Sequence, residues 1–498
     1  MIAVGLDVGT TSVKGLALDT DSGEVVASAE EGYPLETPRP GWTEQAPELW
    51  WRATEQVLAA LGAAGAEPGG IGLSGQMHGL VALDAEDRVL RPALLWNDQR
   101  TGAEAAEIEQ RLGGLEALVR ATGNRSLTGF TAPKLLWMAR HEPELHARIA
   151  SVLLPKDYVR LRLCGERATD VTDASGTLWF DVAGRRWSER VLAALAVDRA
   201  WLPRAEESAA VTGATRDGVP VAAGAGDQGA GALGVGVDRP GPVSVVLGTS
   251  GVVLSALPAY AADLAARVQV SCHSVAGGWF AMGVILSAAG SLSWLRGVTG
   301  GPDFDELLAE AERWPPGAEG LSFLPYLSGE RTPHADPEAR AAFAGLGVRH
   351  DRGALARAVL EGVAFGLRDA LDLVSALGGP AQRGRVSGGG ARSELWLRIV
   401  ASVLETPLER VAVDEGAAYG AALLGGVAGG AWGSVEEAVA ACVRVRGTVE
   451  PVADWVERYA EARERFRELY PALHEAAASP QAGGRSRAAS SSSPTRRR

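Results

Sequence analysis

Cysteine and lysine are scarce in this 498-residue chain. The three cysteines, Cys164, Cys272 and Cys442, have no short spacing and no histidine cluster beside them, so neither a disulfide framework nor a zinc site is expected. No uninterrupted apolar run reaches about 18 residues, which excludes a membrane-spanning helix. Residues 1–6 run straight into a strand pattern without a basic stretch and apolar core, so no leader is expected and the cytoplasm is the expected compartment. Net positive charge is also missing. The formal charge is −13, and the last nineteen residues hold five arginines and no acid, which leaves the rest near −18. Such a surface repels phosphate backbones, so nucleic acid is not an expected partner. A Walker A lysine loop is absent, which excludes a P-loop as the source of nucleotide binding.

Among 48 basic residues the only lysines are Lys14, Lys134 and Lys156. Lysine and arginine differ in geometry and hydration, so a lysine kept in so arginine-rich a chain is a candidate for a specific task. Apolar residues make up 46% and charged residues 22%, the composition of a globular protein, and the length exceeds what one core supports. Two or three domains are expected.

Residues 2–8 read as a buried strand, 9–12 as a turn, 13–18 as a returning strand and 24–30 as a third, which makes a β-meander. Helices are expected over 46–61, 101–118 and 134–140, with a strand at 71–74. The opening is repeated at 243–247, where an apolar strand again runs into Gly-Thr and a further hydroxyl residue before a returning strand, so one supersecondary unit is used twice. Pro240 and Pro242 punctuate the junction at 238–242. Further helices are expected over 355–373, 393–404 and 417–424. The expected division is a sugar-binding and phosphate-loop domain at 1–240, a nucleotide-binding domain at 241–476 and a disordered Ser/Arg-rich tail at 477–498.

Asp7-Val8-Gly9-Thr10-Thr11-Ser12-Val13-Lys14 sets a carboxylate at a strand end before a turn rich in hydroxyls. Backbone amides and hydroxyls of such a turn suit phosphate oxygens, and the carboxylate suits Mg²⁺ held through water. Gly248, Thr249 and Ser250 form a second such turn. Gly224-Ala225-Gly226-Asp227-Gln228-Gly229 matches the dinucleotide fingerprint literally, but a carboxylate inside the turn repels a pyrophosphate, and Leu247 stands where the ribose-binding acid belongs. Asp227 fits better as a group that accepts a hydroxyl proton, with helix capping as the plain alternative. Gly388, Gly389, Gly390, Ala391 and Arg392 leave room for a flat ring against backbone. His78, Trp96 and Asp98 lie on loops after apolar strands, and their imidazole, indole and carboxylate suit a polyol.

In this order the motifs resemble the carbohydrate kinases called the FGGY family, over residues 1–475. The resemblance implies two actin-like ATPase (ribonuclease H-like) α/β domains flanking a central cleft, ATP and Mg²⁺ as cofactors, and a small sugar as substrate. It also implies Asp227 as the catalytic base, with Met77, His78 and Gln228 on the sugar. Residues 76–79, 95–98, 130–134, 154–158 and 323–333 are similar to those of xylulokinases, which implies D-xylulose. Gln228 stands where the closest xylulokinases carry Asn, and Gln occurs there in relatives acting on glycerol and other polyols, so the sugar stays open. A non-sugar actin-like ATPase and an NAD-dependent dehydrogenase are the alternatives from other classes, and a homodimer is left open.

Overall fold

Apolar runs buried on both faces build the centre of each half of the chain. The structure, a computed structural model, describes residues 1–413 and 415–478. In the first half β1 (Ile2–Val8), β2 (Ser12–Asp19) and β3 (Val25–Gly32) form the expected antiparallel meander. The helix α1 (Pro47–Ala63) then returns the chain to β4 (Pro68–Gly75), which runs parallel to β1. Three short strands finish this sheet: β5 (Val211–Ala214), β6 (Pro220–Ala222) and β7 (Ala225–Gly226). The order is β5-β6-β4-β1-β2-β3, with β7 pairing the end of β4. The helix α2 (Asp227–Gly234) leads away from β7.

The second half repeats the plan. Strand β8 (Pro242–Leu247) is antiparallel to β9 (Gly251–Leu257), as β1 is to β2. Strands β10 (Gln269–Cys272) and β11 (Trp279–Ile285) extend that side. The 27-residue helix α3 (Arg352–Gly378) then crosses to β12 (Arg383–Ser387), parallel to β8 as β4 is to β1. Helix α4 (Glu394–Leu404), β13 (Leu408–Val411), helix α5 (Gly416–Ala428), β14 (Val445–Val449) and helix α6 (Ala453–Ala478) complete the half. The duplicated α/β unit expected from the two Gly-Thr turns is therefore present, and the fold is that of two actin-like α/β units.

Several boundaries differ from expectation for local reasons. The helix expected over 101–118 is two helices, Gly102–Arg111 and Leu115–Thr122, because Gly113 and Gly114 both take positive φ between them. Asp351 caps α3 by accepting the Ala354 amide at 3.0 Å, which starts that helix before the expected Leu355. Helix α6 runs to Ala478, past the start of the expected tail, and residues 479–498 of that tail lie outside the described residues.

Helix α5 belongs to the second half in sequence but packs on the first sheet. It lies so close to β1 and β4 that a Cβ at Gly5 would collide with the Ala418 carbonyl, and one at Gly72 with the Ala421 carbonyl. Alanines and glycines at the crossing let backbone meet backbone.

Candidate functional site

Strand register brings Asp7 and Asp227 to one place. Asp7 on β1 is level with Lys14 on β2 and with Ser74 on β4. Ser74 and Gly75 also pair with Ala225 and Gly226 of β7, so Asp227 leaves the sheet at the next residue. It is the first residue of α2, whose cap position is Gly226 with no capping side chain, so the plain capping role does not apply.

Both aspartates are half-buried, and Asp7 Oδ1 is itself closed off from solvent. Burial pushes Asp227 up to about 7, the Asp7 charge adds to the rise, and the backbone and side-chain amides of Gln228 oppose it. Burial likewise lifts Asp7 to about 6 against the Ser74 hydroxyl and the Lys14 charge. Among the described residues Asp7 Oδ1 has no hydrogen-bond partner. Lys14 is ion-paired with Glu415, just before α5.

The first turn is held from behind. Gly9 N donates to Ser12 O at 2.9 Å, and the single proton of the Tyr33 hydroxyl is shared between Gly9 O at 2.6 Å and Ser12 O at 2.9 Å. Gln45 Nε2 donates to Thr10 O at 2.9 Å, and Gln76 Nε2 to Gly9 O at 3.2 Å. With the carbonyls engaged on that side, the amides of Thr10 and Thr11 have no partner among the described residues, an arrangement that favours an anion. The Thr10 hydroxyl donates to Gln76 Oε1 at 3.2 Å and accepts from Trp96 Nε1 at 3.0 Å. Trp96 thus stands, 42% exposed, beside this first turn. Thr11 is exposed, while the Ser12 hydroxyl donates to Glu30 at 2.7 Å.

The second turn uses the same device. Gly248 O accepts from the Ala289 amide at 2.8 Å, and Thr249 O from the Ala288 and Gly290 amides at 2.8 and 3.1 Å. Thr249 is left exposed and Ser250 partly so. Gly388, at φ +87°, lies against this turn, and a Cβ there would stand 2.9 Å from the Leu247 carbonyl carbon and oxygen. Beside it a cavity of about 730 Å³ is lined by Gly388, Ala391, Arg392, Arg410, Val411 and Gly447 among others. Gly390 packs on Trp396, while a Cβ at Gly389 would meet nothing within 4 Å.

On the other side of Asp227, Met77 packs on Gly226, where a Cβ would come within 2.7 Å of its Cγ. His78 takes φ +69°, shares a 2.9 Å hydrogen bond between Nδ1 and Gly176 O, and stacks at a tilt on Phe130 at 4.5 Å. Burial first, then the Lys134 charge, hold its imidazole down at about 3, so it is neutral at pH 7. Fully buried Lys134 fixes the backbone here by donating to His78 O at 2.7 Å and Gly129 O at 2.6 Å. Asp98 has a supporting job. It is buried, accepts from the Thr43 amide at 2.7 Å and grips Arg100 with both oxygens, so its lone pairs serve the loop.

Sequence reasoning missed Ser74, Tyr33, Gln45, Gly176 and the Arg331 charge that acts on His78. Residues 323–333 entered only through resemblance, and none of the others sits in a motif. Among the described residues no group of three or more His, Cys, Asp or Glu is placed to hold a metal, and no helix is long and apolar enough to cross a membrane.

Residues 2–234 match the N-terminal domain of the FGGY family of carbohydrate kinases, and residues 243–429 match its C-terminal domain. The xylulose kinase of Escherichia coli (strain K12) is 42% identical over 482 residues, covering 94% of this chain and 99% of the relative. The crystal structure of a xyloylose kinase from Brucella ovis superposes with a TM-score of 0.90 at 42% identity, over 96% of this chain and 100% of that one. The xylulose kinase structure from Rhodospirillum rubrum gives 0.89 at 33% identity, over 95% and 99%.

Proposed function

Because the chain belongs to the FGGY family of carbohydrate kinases, we propose that it transfers the γ-phosphoryl group of ATP to the terminal hydroxyl of D-xylulose, forming D-xylulose 5-phosphate for pentose catabolism in the cytoplasm. The observation that carries the reading is Asp227, an enclosed carboxylate that caps nothing and is pushed up to about 7 beside Met77. A group with that proton affinity accepts a hydroxyl proton near neutral pH.

Met77, His78 and Gln228 hold the sugar, with neutral His78 available as a hydrogen-bonding group. Trp96 closes the side toward the first turn, and Asp98 keeps its loop in place through Arg100. The turns at Thr10–Thr11 and Gly248–Ser250 receive the phosphates, and the cavity beside Gly388 to Arg392 receives adenosine. Phosphoryl transfer passes through a loose transition state, so alignment and charge neutralisation outweigh basicity. Asp7 suits Mg²⁺ held through water, because its Oδ1 lacks a partner among the described residues and burial lifts its proton affinity even with the Lys14 charge nearby. When bound, that ion neutralises phosphate charge.

The substrate follows from relatives named xylulose kinase and from the Met77-His78 pair, while Gln228 speaks for another polyol. Steady-state ADP release with D-xylulose, D-ribulose, glycerol and D-gluconate decides between them. The highest kcat/KM is expected for D-xylulose, and the smallest discrimination against D-ribulose, which differs only in stereochemistry. Glycerol leaves polar groups of the site unpaired. A higher value for another substrate overturns the choice of sugar, and no sugar-dependent ADP release overturns the kinase reading.

A further inference from the structure

Directly behind the loop that carries Asp227 lies a cluster of five fully buried ionisable side chains. Lys156 Nζ is its hub, at 2.6 Å from Asp157 Oδ1, 2.7 Å from Asp170 Oδ2 and 3.2 Å from Asp173 Oδ2. Arg160 joins through Asp157 at 3.4 Å. Desolvating so many charges costs several kcal/mol per ion, and an apolar core of equal volume serves stability as well or better. A role in stability alone therefore explains the cluster poorly, and its outward bonds point elsewhere.

Those bonds grip the catalytic loop at both ends. Arg160 donates to the carbonyls of Ala222, at 2.7 Å, and of Ala223, and also to Thr212 Oγ1 at 2.6 Å. These carbonyls immediately precede the loop. At its far end Gly226 N donates to Thr172 Oγ1 at 2.8 Å, and the same hydroxyl donates to Asp170 Oδ1 at 2.5 Å. Asp170 in turn caps the short helix Val171–Ala174 through the Thr172 and Asp173 amides at 2.8 and 3.1 Å, while its other oxygen meets Lys156. The Thr172 hydroxyl has one proton, and Asp170 takes it, so its oxygen can only accept from Gly226. The hydrogen-bond direction is therefore fixed from Lys156 through Asp170 and Thr172 to the residue before Asp227.

We propose that Thr172 and Arg160, oriented by the Lys156–Asp157–Asp170 cluster, are positioning residues that fix the loop on which Asp227 approaches the sugar hydroxyl. The inference rests on the reading of Asp227 as the catalytic carboxylate. Both side chains are fully buried. Loosening the clamp therefore moves Asp227 out of line and lowers turnover while ground-state binding is kept.

The test uses the full-length protein with D-xylulose and ATP. Thr172→Val keeps the shape and removes the acceptor; Thr172→Ala also removes it but leaves room for water to reach Gly226 N; Thr172→Ser keeps the hydroxyl. In Thr172→Val, kcat is expected to fall on the order of tenfold to a hundredfold, with both KM values within about twofold of the parent. Thr172→Ala should lose less, and Thr172→Ser should recover most of the rate. Unchanged kcat in folded Thr172→Val overturns the proposal, as does a loss that Thr172→Ser fails to recover or a loss carried wholly by KM. If Thr172→Val does not fold, Thr172→Ala decides by the same split. Asp227→Asn, assayed in parallel, separates the two readings: if it keeps full turnover, the role of Asp227 itself fails, whatever Thr172 does.

Discussion

Asp7 and Asp227 flank the same strand end, one level with Ser74 and the other one residue past the partner of Gly75, and the charge of Asp7 raises the proton affinity of Asp227. Two enclosed carboxylates this near to each other repel, and that repulsion adds to burial in favouring the protonated form of Asp227.

This pairing predicts an acid limb. For Asp227→Asn, kcat/KM is expected to fall at least about a hundredfold with the melting temperature retained. In the parent, kcat/KM should rise with pH through about 7 as Asp227 loses its proton. On the residual activity of Asp7→Asn that limb should move to lower pH, because the repelling charge is gone. The stability sign is opposite. Both carboxyls bind protons in the folded chain above their model value of 3.8, so the folded state holds more protons and stability falls as pH rises from about 4 to 7. Asp227→Asn should flatten that slope in melting curves between those pH values.

Lys134→Met is expected to destabilise the protein by about 2 kcal/mol or more, since fully buried Lys134 is lost as the donor to two half-buried carbonyls, of His78 and Gly129. Because one of them belongs to the residue proposed to hold the sugar, the sugar KM should rise several-fold more than the ATP KM. Chemical denaturation and steady-state kinetics check both halves; an unshifted ratio of the two KM values would show that Lys134 serves the fold alone.

Two adjacent glycines should answer differently to alanine. Gly388→Ala sets a side chain at φ +87° against the Leu247 carbonyl and should lower the melting temperature by several degrees. Gly389→Ala meets nothing within 4 Å and should melt as the parent does, yet raise the ATP KM as its methyl enters the space proposed for adenosine. Thermal melts and ATP titration of the two variants test the assignment of that cavity.

What could be read in the chain was what sits close together in it. The meander, the repeated Gly-Thr turn and the place of Asp227 after a strand all lie within short windows, and all three appear in the fold. What stayed hidden was pairing at long separation. Lys134 was conspicuous by rarity, but only the fold reveals that it reaches back 56 residues to His78. Asp98 looked like a sugar ligand because an aspartate on a polar loop is ambiguous until Arg100 and Thr43 are seen to occupy it. The helix expected over 101–118 is split because Gly113 and Gly114 take a positive φ that only the backbone reveals.

The contact of α5 with β1 and β4 bears on how the protein is made. On the ribosome the first sheet emerges complete long before residues 416–428, so the face they cover waits bare until nearly the whole chain has left the exit tunnel. A gene cut at the boundary between the halves would yield an N-terminal fragment with that flat glycine and alanine face open to solvent and to other nascent chains. The two halves look like successive units in sequence, but the first reaches its finished form only after most of the second has been synthesised.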